Sequence, residues 1–190
     1  MKAMEEKIIA CGQVLPGNVL KVGSFLNQQL DVGFLASVGE EIARIYSDAT
    51  VTTVMTIEAS GIAIATLAAL ALHVPTVIVK KHASANQSKE VYSAEIYSYT
   101  HGNYYTAAIA KEYVNPDDNI LIVDDFLACG NAIKGLKKII EDAGAKLAGC
   151  AIAIEKCFQN GGKELRDLGI RVESLAMVES MDDNIIKFKP

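Results

Sequence analysis

The chain has 190 residues, of which 51% are hydrophobic and 22% are charged, and its formal net charge at pH 7 is −5. This length corresponds to one domain, and the hydrophobic content excludes an intrinsically disordered chain. The negative charge argues against a protein that binds nucleic acid or an anionic membrane surface, because both attract basic proteins.

The N-terminal sequence and the cysteines indicate the cellular compartment that we expect for the protein. The N-terminal sequence lacks the apolar core of a signal peptide. The four cysteines, Cys11, Cys129, Cys150 and Cys157, form no CxxC pair. Neither a zinc site nor a redox motif is therefore predicted, and we expect a cytoplasmic protein.

The first half of the chain alternates helical and strand patterns. Residues 1–11 predict a helix, 13–29 an irregular segment, and 31–46 a helix that Asp31 is placed to cap. A β-branched run predicts a buried strand over 52–57. The uncharged stretch 59–79 is long enough to span a bilayer. Because His73 and Pro75 interrupt it, we interpret it as a helix over 62–72 and a strand over 76–79.

The second half continues this alternation after a predicted hairpin over 91–110. Five of the seven tyrosines lie between Tyr92 and Tyr105, which predicts aromatic pairs across the hairpin. Strands are predicted over 120–123, 147–154 and 171–176, helices over 131–143 and 162–168, and a polar tail after them. The sequence therefore predicts an α/β fold with a mostly parallel sheet and helices on both faces, over a single domain of residues 1–190. Ligands of such sheets bind beyond the carboxyl ends of the strands.

The most informative motif is ILIVDDFLACGNA at residues 120–132. Two adjacent carboxylates, Asp124 and Asp125, follow a strand, and a short loop leads to a helix N-terminus. The free N–H groups and the dipole of that helix suit a phosphate. The carboxylates suit the paired hydroxyls of a sugar or a hard metal ion bound through water.

Three other phosphate-binding folds fit this motif less well. The Rossmann pattern GxGxxG is absent, and Gly130 and Gly135 have the Walker spacing but Leu136 stands where a lysine is needed. A phosphoacceptor receiver domain begins in the same way, but it needs three further strands and helices and only 65 residues follow Asp125.

The motif resembles the diphosphate-sugar motif of the type I phosphoribosyltransferases. The family loop commonly carries threonines, whereas Cys129, Gly130 and Asn131 stand here, which leaves backbone N–H groups and the Asn131 amide for a phosphate. The stretches 19–27, 56–62, 80–82, 97–100, 154–159 and 171–176 resemble bacterial members that act on xanthine. The resemblance implies the type I phosphoribosyltransferase fold. In that fold about 13–30 forms a small hood and about 82–110 a flexible hairpin, and the protein is a homodimer.

The resemblance also implies a reaction and its residues. Xanthine and 5-phospho-α-D-ribose 1-diphosphate (PRPP) would give XMP and pyrophosphate in purine salvage, with Mg²⁺ bound through PRPP and no organic cofactor. Asp124 and Asp125 are the implied catalytic pair. No dedicated protein ligand of that metal is implied, although these two carboxylates are able to hold it. The implied PRPP-binding residues are Ala128, Cys129, Gly130, Asn131, Ala132, Glu58, Ala59, Ser60, Gly61, Lys80 and Lys81. The implied xanthine-binding residues are Leu20, Asn27, Lys156 and Phe158.

Other functions stay open at this stage. A hypoxanthine/guanine or adenine phosphoribosyltransferase has the same motif, and so does a non-catalytic regulator that senses PRPP. A lysine donor at position 156 favours 6-oxopurines, because the amino group of adenine is itself a donor. The Asn27 amide is able to donate to the 2-oxo group of xanthine. Lys80 and Lys81 are also consistent with an ordinary solvated basic pair.

Overall fold

The computed structural model describes residues 1–81, 90–98, 102–182 and 185–189. The helices are α1 (Lys2–Cys11), α2 (Val32–Ile45), α3 (Ile62–Leu72), α4 (Asn131–Asp142) and α5 (Gly161–Asp167). The strands are β1 (Gln13–Leu15), β2 (Val19–Lys21), β3 (Thr53–Ile57), β4 (Thr76–Val79), β5 (Val91–Ser98), β6 (Asn103–Ala110), β7 (Asn119–Leu127), β8 (Lys146–Lys156), β9 (Val172–Asp182) and β10 (Ile185–Phe188).

A six-stranded sheet in the order β10-β9-β8-β7-β3-β4 forms the centre of the molecule. All neighbouring strands in it are parallel except β10, which pairs antiparallel with β9 at one edge. The predicted α/β fold with a mostly parallel sheet is therefore confirmed. Strand β7 lies between β3 and β8, so the acid-containing motif belongs to a central strand.

The hydrophobic core lies on both faces of this sheet. On one face Leu121 and Val123 of β7 pack with α1, α2 and α3. On the other face Ile120 and Ile122 pack with α4, α5 and the β5–β6 hairpin. Successive residues of a strand point to opposite faces, so a sheet covered on both sides has continuously apolar strands. This arrangement accounts for the high hydrophobic content of the chain.

Local signals set the boundaries of several elements as predicted. Helix α2 begins after Asp31, whose carboxylate accepts a hydrogen bond from the Phe34 N–H at 3.1 Å. Helix α3 and strand β4 divide the uncharged stretch at His73 and Pro75. Among the described residues, no helix is long and apolar enough to cross a membrane. In the hairpin, Tyr97 lies opposite Tyr104 with ring centroids 5.1 Å apart, which confirms a cross-strand aromatic pair.

The structure corrects three predicted boundaries. The segment 13–29 is not wholly irregular, because β1 and β2 form a small hairpin in it. Strands β7 and β8 continue beyond their apolar runs, because the end of β7 stays paired with β8 and the end of β8 stays paired with β9. The predicted polar tail contains the end of β9 and the edge strand β10. The predicted flexible segment includes residues 82–89 and 99–101, which lie outside the described residues.

Candidate functional site

A cavity of about 230 Å³ lies at the carboxyl ends of β3 and β7. Its wall includes the acid pair, Asp124 and Asp125, and the phosphate loop, which we define as residues 128–132. The rest of the wall comes from Ile57, Glu58, Ser60, Lys81, Ile96, Tyr97, Ser98, Tyr105, Phe126, Leu127 and Ile133. A larger groove of about 630 Å³ lies between the N-terminal hairpin and β10, but its described lining carries no charged side chain. The smaller cavity therefore suits an anionic ligand better.

The phosphate loop ends at the N-terminus of α4. Gly130 has a φ of +78°, a left-handed conformation that residues with a side chain rarely adopt. The Gly161 N–H donates to the Ala128 carbonyl at 3.0 Å, so the first residue of α5 supports the loop from behind. The first N–H groups of α4 have no partner within the helix, which makes this end of the cavity an anion site.

The Asn131 side chain has a partner other than the expected phosphate. Its amide donates to the Tyr97 carbonyl at 3.2 Å and so links the phosphate loop to the β5–β6 hairpin. The second N–H of that amide and the backbone N–H groups of the loop remain for a phosphate.

The acid pair is nearly inaccessible to solvent, with 7% of Asp124 and 6% of Asp125 exposed. The Asp125 N–H donates to the Asp124 carboxylate at 2.9 Å, and the Asn27 amide donates to the Asp125 carboxylate at 3.4 Å. Burial, together with the neighbouring charge of Asp125, raises the pKa of Asp124 well above its ordinary value. Two carboxylates held this closely out of water are stabilised by hydroxyl donors or a cation.

The turn after β3 places a basic group in the cavity. The Glu58 carboxylate accepts a hydrogen bond from the Lys81 N–H at 2.7 Å and forms an ion pair with the Lys80 ammonium at 3.1 Å. Lys81 lines the cavity, whereas Lys80 does not. A methyl group on Gly61 would lie 2.9 Å from the Asp124 carboxylate and closer still to the Thr56 hydroxyl, so the glycine lets this turn approach the acid pair without displacing either side chain. Ser60 also lines the cavity, and Ala59 does not.

The residues that the resemblance assigns to xanthine do not line this cavity. They lie beside it: Asn27 bonds to the acid pair, and Lys156 lies 5.4 Å from the ring centroid of Phe126, which does line the cavity. Lys156 also donates to the Asn18 carbonyl at 2.9 Å, and burial lowers its pKa. Leu20 and Phe158 belong to the core cluster that Phe126 joins.

Sequence reasoning missed several residues of this region, among them Phe126, Tyr105 and Glu155. Phe126 and Tyr105 line the cavity, and Glu155 lies directly before Lys156 with only 2% of its surface exposed. Glu155 accepts two hydrogen bonds from Arg166, at 2.8 and 2.7 Å, which attach α5 to the end of β8. The signal available in the sequence was an acid directly after an apolar strand. The burial that requires a charged partner is visible only in the structure.

Comparison with known proteins decides the family. A family model described as the phosphoribosyl transferase domain matches residues 28–186. The chain belongs to the phosphoribosyltransferase family. The resemblance drawn from the motif is thus confirmed.

Phosphoribosyltransferases similar to this chain match it over its whole length. The xanthine phosphoribosyltransferase of Limosilactobacillus reuteri is 45% identical over 188 residues, which cover 99% of this chain and 98% of that protein. Xanthine phosphoribosyltransferase 1 of Clostridium perfringens is 46% identical over 190 residues and all of both chains. The crystal structure of the adenine phosphoribosyltransferase from Rhodothermus marinus has a TM-score of 0.76 and 20% identity, covering 94% of this chain and 100% of that one. At that identity the last match supports the fold alone.

Proposed function

We propose that this protein transfers the phosphoribosyl group of PRPP to xanthine and releases XMP and pyrophosphate. The observation that carries the proposal is the cavity that joins an anion-binding helix N-terminus, a buried acid pair and a lysine at the ends of two parallel strands. The full-length similarity to xanthine phosphoribosyltransferases supports the choice of base.

The phosphate loop binds the 5′-phosphate of PRPP. Its backbone N–H groups and the dipole of α4 supply the positive potential, and the Asn131 amide holds the neighbouring hairpin. The acid pair accepts hydrogen bonds from the two ribose hydroxyls. Hydroxyl donors relieve the repulsion between the two buried carboxylates, which accounts for their placement side by side.

The turn at residues 58–61 and the Lys81 ammonium receive the diphosphate group. Glu58 neutralises Lys80 and fixes the main chain of Lys81, so Lys81 is the lysine that meets the leaving group. Mg²⁺ bound to PRPP would neutralise further diphosphate charge. The described residues contain no group of three side chains able to hold a metal ion. The acid pair would be the protein's contribution to the metal, because two carboxylate groups fit a hard cation.

In the reaction a purine ring nitrogen attacks the anomeric carbon. A carbon–nitrogen bond forms as the bond between that carbon and the pyrophosphate oxygen breaks, through an oxocarbenium-like transition state. The purine gives up one ring proton to solvent in the process. The protein needs no covalent intermediate for this step. It holds the sugar between the phosphate loop and the acid pair, and the β5–β6 hairpin covers the cavity from the side.

Lys156 and Asn27 select the base, with Leu20 and Phe158 as apolar neighbours. A lysine ammonium has three donors, and Asn18 uses one of those on Lys156, so two remain for the 6-oxo group of a purine. The Asn27 amide lies next to the acid pair, where it is able to donate to a 2-oxo group. This pair of donors favours xanthine over adenine. We further infer that the enzyme is cytoplasmic and forms a homodimer. Size-exclusion chromatography with light scattering tests whether it is a dimer.

An assay of PRPP-dependent pyrophosphate release with xanthine, guanine, hypoxanthine and adenine tests the function. We expect release with xanthine and identification of XMP by chromatography. Release with no base would contradict the enzyme and favour a module that only binds PRPP. A strong preference for adenine would contradict the role of Lys156, and equal rates with hypoxanthine would contradict the role of Asn27.

A further inference from the structure

Tyr105 lines the same cavity as Lys81 and the acid pair, but the reaction proposed above gives it no role. It lies in β6 directly opposite Ile96 of β5. Its half-buried ring packs against the core cluster that contains α4. The ring is therefore held in place by the body of the protein.

The aromatic ring of Tyr105 contacts the end of the Lys81 side chain. The Lys81 ammonium lies 5.7 Å from the centre of the Tyr105 ring, within the range of a cation–π interaction. Within the described residues, the Glu58 carboxylate forms its ion pair with Lys80, and no carboxylate lies within ion-pair distance of the Lys81 ammonium. Glu58 instead fixes the Lys81 backbone N–H. Lys81 is thus anchored at the main chain by Glu58 and at its charged end by Tyr105.

The environment keeps the Tyr105 phenol neutral. Burial raises its pKa, and the negative charge of Asp124 raises it further. The ring of a neutral tyrosine attracts a cation through its electron-rich face. The flexible four-carbon chain of a lysine otherwise samples many rotamers, so a ring at its end reduces the entropy lost when a ligand binds.

We propose that Tyr105 is a positioning residue for the diphosphate group of PRPP, which acts by holding the Lys81 ammonium in the cavity. This inference rests on the proposed function, because it assumes that PRPP occupies the cavity. The ring is the part of the side chain that matters. Removal of the hydroxyl alone therefore leaves the effect in place.

The test compares three variants by steady-state kinetics with PRPP varied at saturating xanthine. Tyr105→Ala should raise KM for PRPP roughly 3-fold to 30-fold, the range that corresponds to the loss of a partly desolvated cation–π contact, with kcat nearly unchanged. Tyr105→Phe keeps the ring and should restore KM to within about twofold of the wild-type value.

Tyr92→Ala is the matched control. Tyr92 lies in the same hairpin, packs half-buried against the same core cluster and has the Lys111 ammonium 5.5 Å from its ring centre, but it does not line the cavity. It should lower the thermal unfolding temperature about as much as Tyr105→Ala and leave KM for PRPP unchanged.

A double-mutant cycle with Lys81→Met decides whether Tyr105 acts through the lysine. In the Lys81→Met background, Tyr105→Ala should add less than about a twofold change in KM for PRPP. An undiminished additional effect would overturn the inference, and so would equal KM values for Tyr105→Ala and Tyr92→Ala. If the wild-type enzyme releases no pyrophosphate from PRPP, and calorimetry detects no binding of PRPP, the proposed function itself fails.

Discussion

Gly161, the first residue of α5, lies directly against the backbone of the phosphate loop. A methyl group at this position would lie 2.6 Å from the Cys129 carbonyl carbon, 2.6 Å from the Gly130 nitrogen, and closer still to the Ala128 carbonyl oxygen. Such atoms essentially never approach within 3.0 Å. Because all three contacts are with backbone, no side-chain rotation relieves them. Gly161→Ala must therefore move the loop away from α5.

The contact distances set the size of the expected effect. The loop has to move by at least roughly 0.4 Å to restore the 3.0 Å limit, and further at the Ala128 oxygen. Overpacking of this kind costs about 1–3 kcal/mol of stability. A displacement near 1 Å of a positioning group lowers catalytic rates by about 100-fold, so we expect kcat/KM for PRPP to fall at least about tenfold.

Steady-state kinetics with PRPP varied, together with urea unfolding, measures both effects. Gly33→Ala is the control, because a methyl group there meets only the Asp31 carboxylate at 3.9 Å and lies inside α2. It should leave kcat/KM unchanged and leave stability unchanged or raise it by about 0.5–1 kcal/mol, the usual preference of a helix for alanine over glycine. If Gly161→Ala changes neither kcat/KM for PRPP nor stability, α5 does not position the phosphate loop.

Two further variants test the purine side and the support beneath it. Asn27→Ala should reduce the preference for xanthine over hypoxanthine by about 1–2 kcal/mol in kcat/KM, the usual loss for one hydrogen bond, and unchanged discrimination would remove Asn27 from base recognition. Burial raises the pKa of Glu155, but hydrogen bonds from Arg166 and Ser174 outweigh burial and lower this pKa below the ordinary 4.5. The ion pair of Glu155 and Arg166 therefore stabilises the fold above pH 4.5. This stabilisation is lost as the pH falls through the lowered pKa. Arg166→Met should therefore cost about 3 kcal/mol in urea unfolding at pH 7 and much less near pH 3, whereas equal losses at both pH values would refute this account.

The helices and strands around the site could be predicted from the sequence to within a few residues. Helix α3 and strand β4 have the predicted bounds, because His73 and Pro75 interrupt one uncharged stretch between them. Asp31 caps α2 as predicted, since capping depends on residues three positions apart. The acid pair was predicted to follow its strand, yet both acids lie within β7. Pairing with β8 extends this strand beyond its apolar residues as far as Leu127.

The partners of the site residues could not be predicted in the same way. Asn131 was expected to bind phosphate, and the sequence did not indicate that its amide also donates to the Tyr97 carbonyl. Lys80 and Lys81 were expected to act alike, and the structure separates them, because Glu58 neutralises only one of the two ammonium groups. The sequence of a basic pair does not indicate which of its two lysines forms an ion pair with a carboxylate that is distant in the chain.

The sequence alone determined what depends on neighbouring residues: the alternation of helices and strands, the caps, and the motif that combines two acids with a phosphate loop. Only the tertiary structure decided which distant groups meet at that motif. Lys156 bonds to Asn18, 138 residues earlier, and Asn27 bonds to Asp125 across 98 residues. Hydrogen bonds, ion pairs and ring contacts act over a few ångströms, and it is the packing of the sheet and its hairpins that brings such residues within that distance.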